Sequence, residues 1–193
     1  SEVTSKELAR DLHYISIAGF ASEHTPSDFA QALEAVDSGD DLILDLRGNG
    51  GGSMAEAIDI AGLFIPKGTT VVSTKGKIPQ ASQTYKTSRE PLDMHIPLVV
   101  LVDGQSASSS EIVAGAIQDL DRGVIMGRRT YGKGLVQTVR ELPYNASLKV
   151  TTSKYYTPSG RCVQKIDYSK KRSDADTEEA TDTIVPEFRT LAG

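Results

Sequence analysis

The stretch that most limits how this chain can fold is PLVVLVDGQSASSSEIVAGAIQDLDRGVIMG, residues 97–127. Pro97 to Val102 is a continuous apolar run, the pattern of a strand covered on both faces, and Asp103-Gly104 breaks it. Small polar side chains occupy residues 105–110, a helix is expected from Glu111 to Leu120, and Gly123 to Gly127 reads as a second strand. The turn between strand and helix holds four serines, Ser106, Ser108, Ser109 and Ser110. A helix N-terminus carries unpaired N–H groups and a dipole that favours developing negative charge, which suits a nucleophile and its oxyanion. Serine is equally a preferred N-cap, and Ser108 with Glu111 has the capping-box spacing. From the turn alone, capping and catalysis both stay open.

Strand and helix patterns alternate upstream as well. Leu12 to Phe20 reads as a strand. Thr25-Pro26-Ser27-Asp28 opens a helix with Thr25 as its cap, and Phe29, Ala32, Leu33 and Val36 fall on one face. Asp41 to Leu46 is an interior strand that delivers the run Arg47-Gly48-Asn49-Gly50-Gly51-Gly52 to its C-terminal edge, where open α/β sheets gather ligands. Met54 to Ile65 is a helix stopped by Pro66, and Thr69 to Ser73 a β-rich run. Residues 74–94 form a long polar segment with room for an edge strand, and its length points to a substrate-facing loop. Gln137 to Leu142 and Ser147 to Tyr156 are an antiparallel pair turning near Pro143-Tyr144-Asn145. Residues 1–9 are polar and expected to be untidy, and residues 167–183, nearly free of apolar side chains, are expected to form a mobile loop.

Several function classes fall away. With 193 residues the chain makes one domain with a sizeable core. A net charge of −5 with no basic block argues against a nucleic-acid partner. No run approaches the length of a transmembrane segment, and no charged-then-apolar leader opens the chain. The single Cys162 excludes an internal disulfide and a multi-cysteine zinc site, and no histidine or asparagine motif accompanies it as a nucleophile. His13, His24 and His95 are expected at strand starts or in loops, with no carboxylate signature beside them, so a Ser-His-Asp triad has no candidate histidine. The glycine run lacks the Gly-Lys-Ser/Thr of a phosphate loop and any dinucleotide-binding unit at the chain start.

Four segments together carry a resemblance. SASSSEIVAGAIQD (Ser106 to Asp119) followed by TYGKGLVQT (Thr130 to Thr138) resembles the carboxy-terminal processing peptidases, or tail-specific proteases. LILDLRGNGGG (Leu42 to Gly52) and KVTTSKYYTPSGRCVQ (Lys149 to Gln164) are similar to two further segments of that family, in the same order. The resemblance implies Ser108 as nucleophile, Lys133 as base 25 residues on, and Gln137 as the residue that orients the lysine. It implies an oxyanion hole from the Ser109 N–H and a glycine of the upstream loop, Gly51 first and Gly52 next. Two departures are Ser109, where the family usually has alanine, and Gly50, where proline is commoner.

The fold implied is the Clp protease/crotonase-like α/β superhelix of βαβ units, here with an added antiparallel strand pair. The substrates implied are unfolded or C-terminally disordered proteins, cut by a serine endopeptidase that needs no cofactor and no metal. A base must be unprotonated, so Lys133 is expected to be buried, with Gly132 and Gly134 wrapping the backbone around it and Leu135 and Val136 as apolar neighbours. Glu111 and Asp119 are expected in structural roles, and Arg47 is expected to order the glycine loop. The family commonly carries a PDZ domain; none fits here, so it is expected elsewhere in a longer parent chain, of which residues 1–193 are the catalytic core. Oligomerisation is left open, and a location in the bacterial periplasm or cell envelope follows from the resemblance alone. Two rivals remain: a silent peptide- or apolar-ligand-binding module of the same fold, and a crotonase-like thioester enzyme.

Overall fold

A computed structural model describes residues 1–166 and 188–193. The expected mobile loop at 167–183 lies outside the described residues. Strands β1 (Val3–Ala9) and β2 (Leu12–Ile17) form an antiparallel hairpin, followed by helix α1 (Thr25–Glu34), β3 (Asp41–Asp45) and α2 (Met54–Ala61). Then come β4 (Thr70–Gly76), one 3-10 turn at Pro79–Ala81, β5 (Gln83–Lys86), β6 (Leu98–Val102), α3 (Ser109–Asp119), β7 (Val124–Gly127), β8 (Leu135–Leu142) and β9 (Ala146–Tyr156). One sheet has the order β1-β2-β3-β6-β7, parallel from β2 onward. The other is antiparallel, in the order β5-β4-β9-β8.

Parallel neighbours need helical crossovers, and α1, α2 and α3 lie between successive strands of the parallel sheet. Its core is the inward set Ile15, Ile17, Leu42, Leu44, Val100 and Val102, met by Ile112, Val113, Ala116 and Ile117 of α3, all buried. Phe29 of α1 meets Phe64 edge-to-face with ring centroids 5.9 Å apart. The apolar run of β6 alternates: Leu98, Val100 and Val102 are buried while Val99 and Leu101 are half-buried. Arg122, after α3, bolts the loops beneath the sheet by donating to the carbonyls of Phe64 and Ile96 at 2.9 Å and of Asp93 at 3.2 Å.

Four expectations change. Residues 1–9 are ordered: β1 pairs with β2, and the Glu2 carboxylate accepts N–H bonds from Ala21 and Ser22 and the Thr25 hydroxyl. That polar stretch is an edge strand, whose outward face requires no apolar pattern. His24 is the N-cap of α1, with Thr25 the first helical residue. The antiparallel pair is half of a four-stranded sheet: β4, the β-rich run from Thr70, joins it, and β5 is the edge strand for which residues 74–94 had room. His13 does have a carboxylate: its Nε2 lies 2.7 Å from Asp40 Oδ2. That pair sits at the N-terminal end of β2, a strand's length from the glycine loop.

Candidate active site

The C-terminal ends of β2, β3, β6 and β7 lie side by side, so the loops that follow them gather at one edge of the sheet. The β3 loop carries the glycines, the β6 loop the serines, and the β7 loop leads to Lys133.

Asn49, fully buried, ties the first two loops together. Its amide donates to Ile17 O at 2.8 Å and its Oδ1 accepts the Gly51 N–H at 2.8 Å. Its backbone carbonyl accepts from Ala107 N–H at 3.0 Å and from Ser110 Oγ at 2.9 Å. Asp103 adds a second clamp: its Oδ1 accepts the N–H of Gly48, Gln105 and Ser106. Those bonds, that of Gly48 foremost, hold its carboxyl below the usual range. Arg47 does not reach into the glycine loop. It forms a bidentate pair with Asp45, which also accepts from Tyr14 Oη at 2.6 Å. Burial acts to raise the Asp45 carboxyl, but the bonds from Arg47 and Tyr14 outweigh it and the carboxyl is lowered.

The four serines separate clearly. Ser106 Oγ donates to Leu46 O at 2.8 Å, Ser109 Oγ to Gly52 O at 2.9 Å and Ser110 Oγ to Asn49 O at 2.9 Å. All three are buried and bolt the turn to the glycine loop. Ser108 alone is half-exposed, and its hydroxyl donates to no carbonyl among the described residues. Its backbone has φ 56° and ψ −112°, a conformation costly for a residue with a Cβ.

The glycine loop passes directly over this residue. A Cβ built at Gly51, where φ is +97°, would lie 2.8 Å from Ser108 Cβ and 3.0 Å from Ser109 N. One built at Gly52 would overlap the backbone of Phe20. The Gly51 N–H is taken by Asn49, whereas the N–H groups of Gly52 and Ser109 bond to no other described residue. The structure therefore brings Ser108, Ser109, Gly51 and Gly52 together.

Lys133 and Gln137 are placed differently. Three successive N–H groups of the lysine loop face the serine turn: Tyr131 donates to Ser106 O at 3.0 Å, and Gly132 and Lys133 donate to the Glu111 carboxylate at 2.6 and 2.9 Å. Glu111, 5% exposed, also accepts the Ser108 N–H at 2.8 Å. The Lys133 side chain, however, is exposed, and its Nζ makes no hydrogen bond or ion pair among the described residues. The expected burial is absent, and the apolar neighbours Leu135 and Val136 are themselves only half-buried. Gln137 is exposed and bonds to Thr151 Oγ1 at 3.5 Å. Both line a pocket of about 730 Å³ with Tyr131, Leu135, Lys165 and Ile166, outside whose lining Ser108 lies.

Asn49, Asp103 and Glu111 are what sequence reasoning undervalued. Each is a polar residue at a strand or helix end, and a polar residue beside a glycine or serine run is the available signal. Among the described residues no group of three or more His, Cys, Asp or Glu side chains is placed to hold a metal ion, and no helix is long and apolar enough to cross a membrane.

Comparison with known proteins shows the family. Residues 11–170 match Peptidase family S41. The chain is 41% identical over 162 residues, 81% of its length, to the carboxy-terminal-processing protease of Bartonella bacilliformis, and covers 37% of that protein. It is 39% identical over 168 residues, 86% of its length, to the carboxyl-terminal-processing protease of Synechocystis sp., of which it covers 38%. Among solved structures it is similar to a photosystem II D1 C-terminal processing protease, with TM-score 0.76 and 33% identity over 85% of this chain and 46% of that one. The chain thus spans less than half the length of these relatives. With the family match covering most of the chain and a relative 41% identical over 81% of it, the chain belongs to Peptidase family S41.

Proposed function

We propose that the chain is the catalytic core of a serine endopeptidase that cuts unstructured, C-terminal regions of proteins, with Ser108 as nucleophile, Lys133 as general base and Gln137 orienting the lysine. The observation that carries this reading is the sorting of the serines: three hydroxyls are spent on the glycine loop, and the fourth is left available at a strained helix N-terminus. Ser108 Oγ attacks the scissile carbonyl as its proton passes to Lys133 Nζ, and the carbonyl oxygen becomes the oxyanion. The N–H groups of Ser109 and Gly52 receive that charge. The assignment favours Gly52 over Gly51 because the Gly51 N–H is already bonded to Asn49. One such donor contributes about 3 kcal/mol in other enzymes. Lys133 then returns its proton to the leaving amine, and water releases the acyl group from Ser108.

A lysine accepts a proton only as the free amine, which apolar cover favours. Lys133 is exposed here, so the substrate chain itself supplies that cover by lying across the pocket that Lys133 and Gln137 line. The same exposure is the observation that favours a second reading, in which the chain holds a peptide without cutting it. The parent protein is proposed to carry a PDZ domain elsewhere and to act outside the cytoplasm. The test is cleavage of a permanently unfolded reporter by the wild-type protein, Ser108→Ala and Lys133→Ala. Cutting by the wild type alone supports the assignment, and activity surviving in either variant removes it. Reporter binding without cutting by any of the three supports the second reading.

A further inference from the structure

The Glu111 carboxylate does more than close a helix end. A capping box asks one bond of the Glu111 carboxylate, which accepts the Ser108 N–H, and that bond is present at 2.8 Å. The other two bonds reach across the fold. Oε2, the same oxygen that holds Ser108, accepts the Lys133 N–H at 2.9 Å, and Oε1 accepts the Gly132 N–H at 2.6 Å. Gly132, at φ +85°, turns two successive N–H groups toward one carboxylate, a concave arrangement suited to an anion. The carboxylate is 5% exposed, so its lone pairs depend on these donors rather than on water.

We infer that Glu111 is a positioning residue that fastens the lysine loop to the serine turn and sets where Lys133 stands relative to Ser108. The inference rests on the Ser108–Lys133 reading above. One carboxylate oxygen is shared between the backbone N–H groups of the two residues, so neither can shift without stretching the other's bond. Neutral glutamine cannot substitute, because it offers one acceptor oxygen and turns an N–H₂ group toward N–H donors. Aspartate keeps the charge at the first turn of α3, within reach of Ser108, but is one methylene too short for the lysine loop.

The experiment compares the wild-type chain with Glu111→Gln and Glu111→Asp by reporter cleavage, circular dichroism and residue-resolved amide exchange. The expected result is a fall in kcat of about 100-fold in both variants, the scale of a misplacement near 1 Å, with KM nearly unchanged. Amide protection should fall at Gly132 and Lys133 while the body of α3 keeps its own, and both variants should keep the wild-type circular dichroism spectrum at the assay temperature. Wild-type kcat in Glu111→Gln, or a loss no larger than its loss of folded protein, overturns the inference. If the wild type does not cleave, the functional reading fails separately and exchange still decides: lost protection at Gly132 and Lys133 supports the clip, and unchanged protection overturns it.

Discussion

Replacing Gly51 by alanine puts a methyl group where three atoms already stand. The new Cβ lies 2.7 Å from Ala107 O, 2.8 Å from Ser108 Cβ and 3.0 Å from Ser109 N. Two of these are backbone atoms of the serine turn and cannot rotate away. The backbone at Gly51, with φ +97°, is itself one that side-chain-bearing residues avoid, at a cost of about 1–3 kcal/mol. Overpacking adds about 1–3 kcal/mol more. The sum, about 2–6 kcal/mol, corresponds to a melting temperature lower by roughly 5–20 °C for a chain of this size. Gly50 is the control one residue away: its φ is not positive and a Cβ there meets nothing within 4 Å. Gly50→Ala should be neutral or stabilising by about 0.4–1 kcal/mol. Thermal denaturation followed by circular dichroism measures both, and reporter cleavage should be lost in Gly51→Ala and kept in Gly50→Ala. Equal melting temperatures for the two variants would refute the close approach of the glycine loop to Ser108.

Two further outcomes follow from the buried polar groups. Asp119 is 2% exposed; burial acts to raise its carboxyl, but hydrogen bonds from Ser159 and the charge of Arg161 outweigh it, so the carboxyl is lowered. A carboxyl lowered by folding stabilises fully above its unfolded value, about 3.9, and loses that contribution as pH falls through the lower folded value. Asp119→Asn should therefore lose about 1–3 kcal/mol in urea titrations at pH 7, with the gap to wild type closing in acid; a gap independent of pH contradicts this. Arg122→Lys should lower stability by about 1–3 kcal/mol, since a single ammonium cannot span the carbonyls of Phe64, Ile96 and Asp93, and an unchanged melting temperature would show that those bonds contribute nothing.

The parallel sheet was legible because its strands are apolar runs closed by glycine or aspartate, and each turn opens a helix with its own start signal. The element missed is one that apolar patterning does not mark: β1 is polar because it is an edge strand. β5, also an edge strand, could be expected only as room within a polar segment, because its formation depends on the partner that β4 offers. The pairing of His13 with Asp40 joins residues 27 apart that share only the base of the sheet. At the site, the glycine and serine runs were readable as runs, but their internal division of labour was not. Which serine is free depends on three hydroxyl bonds to carbonyls some sixty residues away in sequence. Which glycine N–H is available depends on the side chain of Asn49. Lys133 shows the limit most plainly: apolar neighbours along a strand point to alternate faces and do not by themselves bury the residue before them.

The most direct test of the catalytic assignment is covalent labelling with a serine-directed fluorophosphonate, read by peptide fragmentation mass spectrometry on the wild type and Lys133→Ala. The account predicts one adduct, on Ser108 and not on Ser106, Ser109 or Ser110, and its loss in Lys133→Ala. Labelling on any other serine, or labelling of Ser108 that persists undiminished without Lys133, would contradict it.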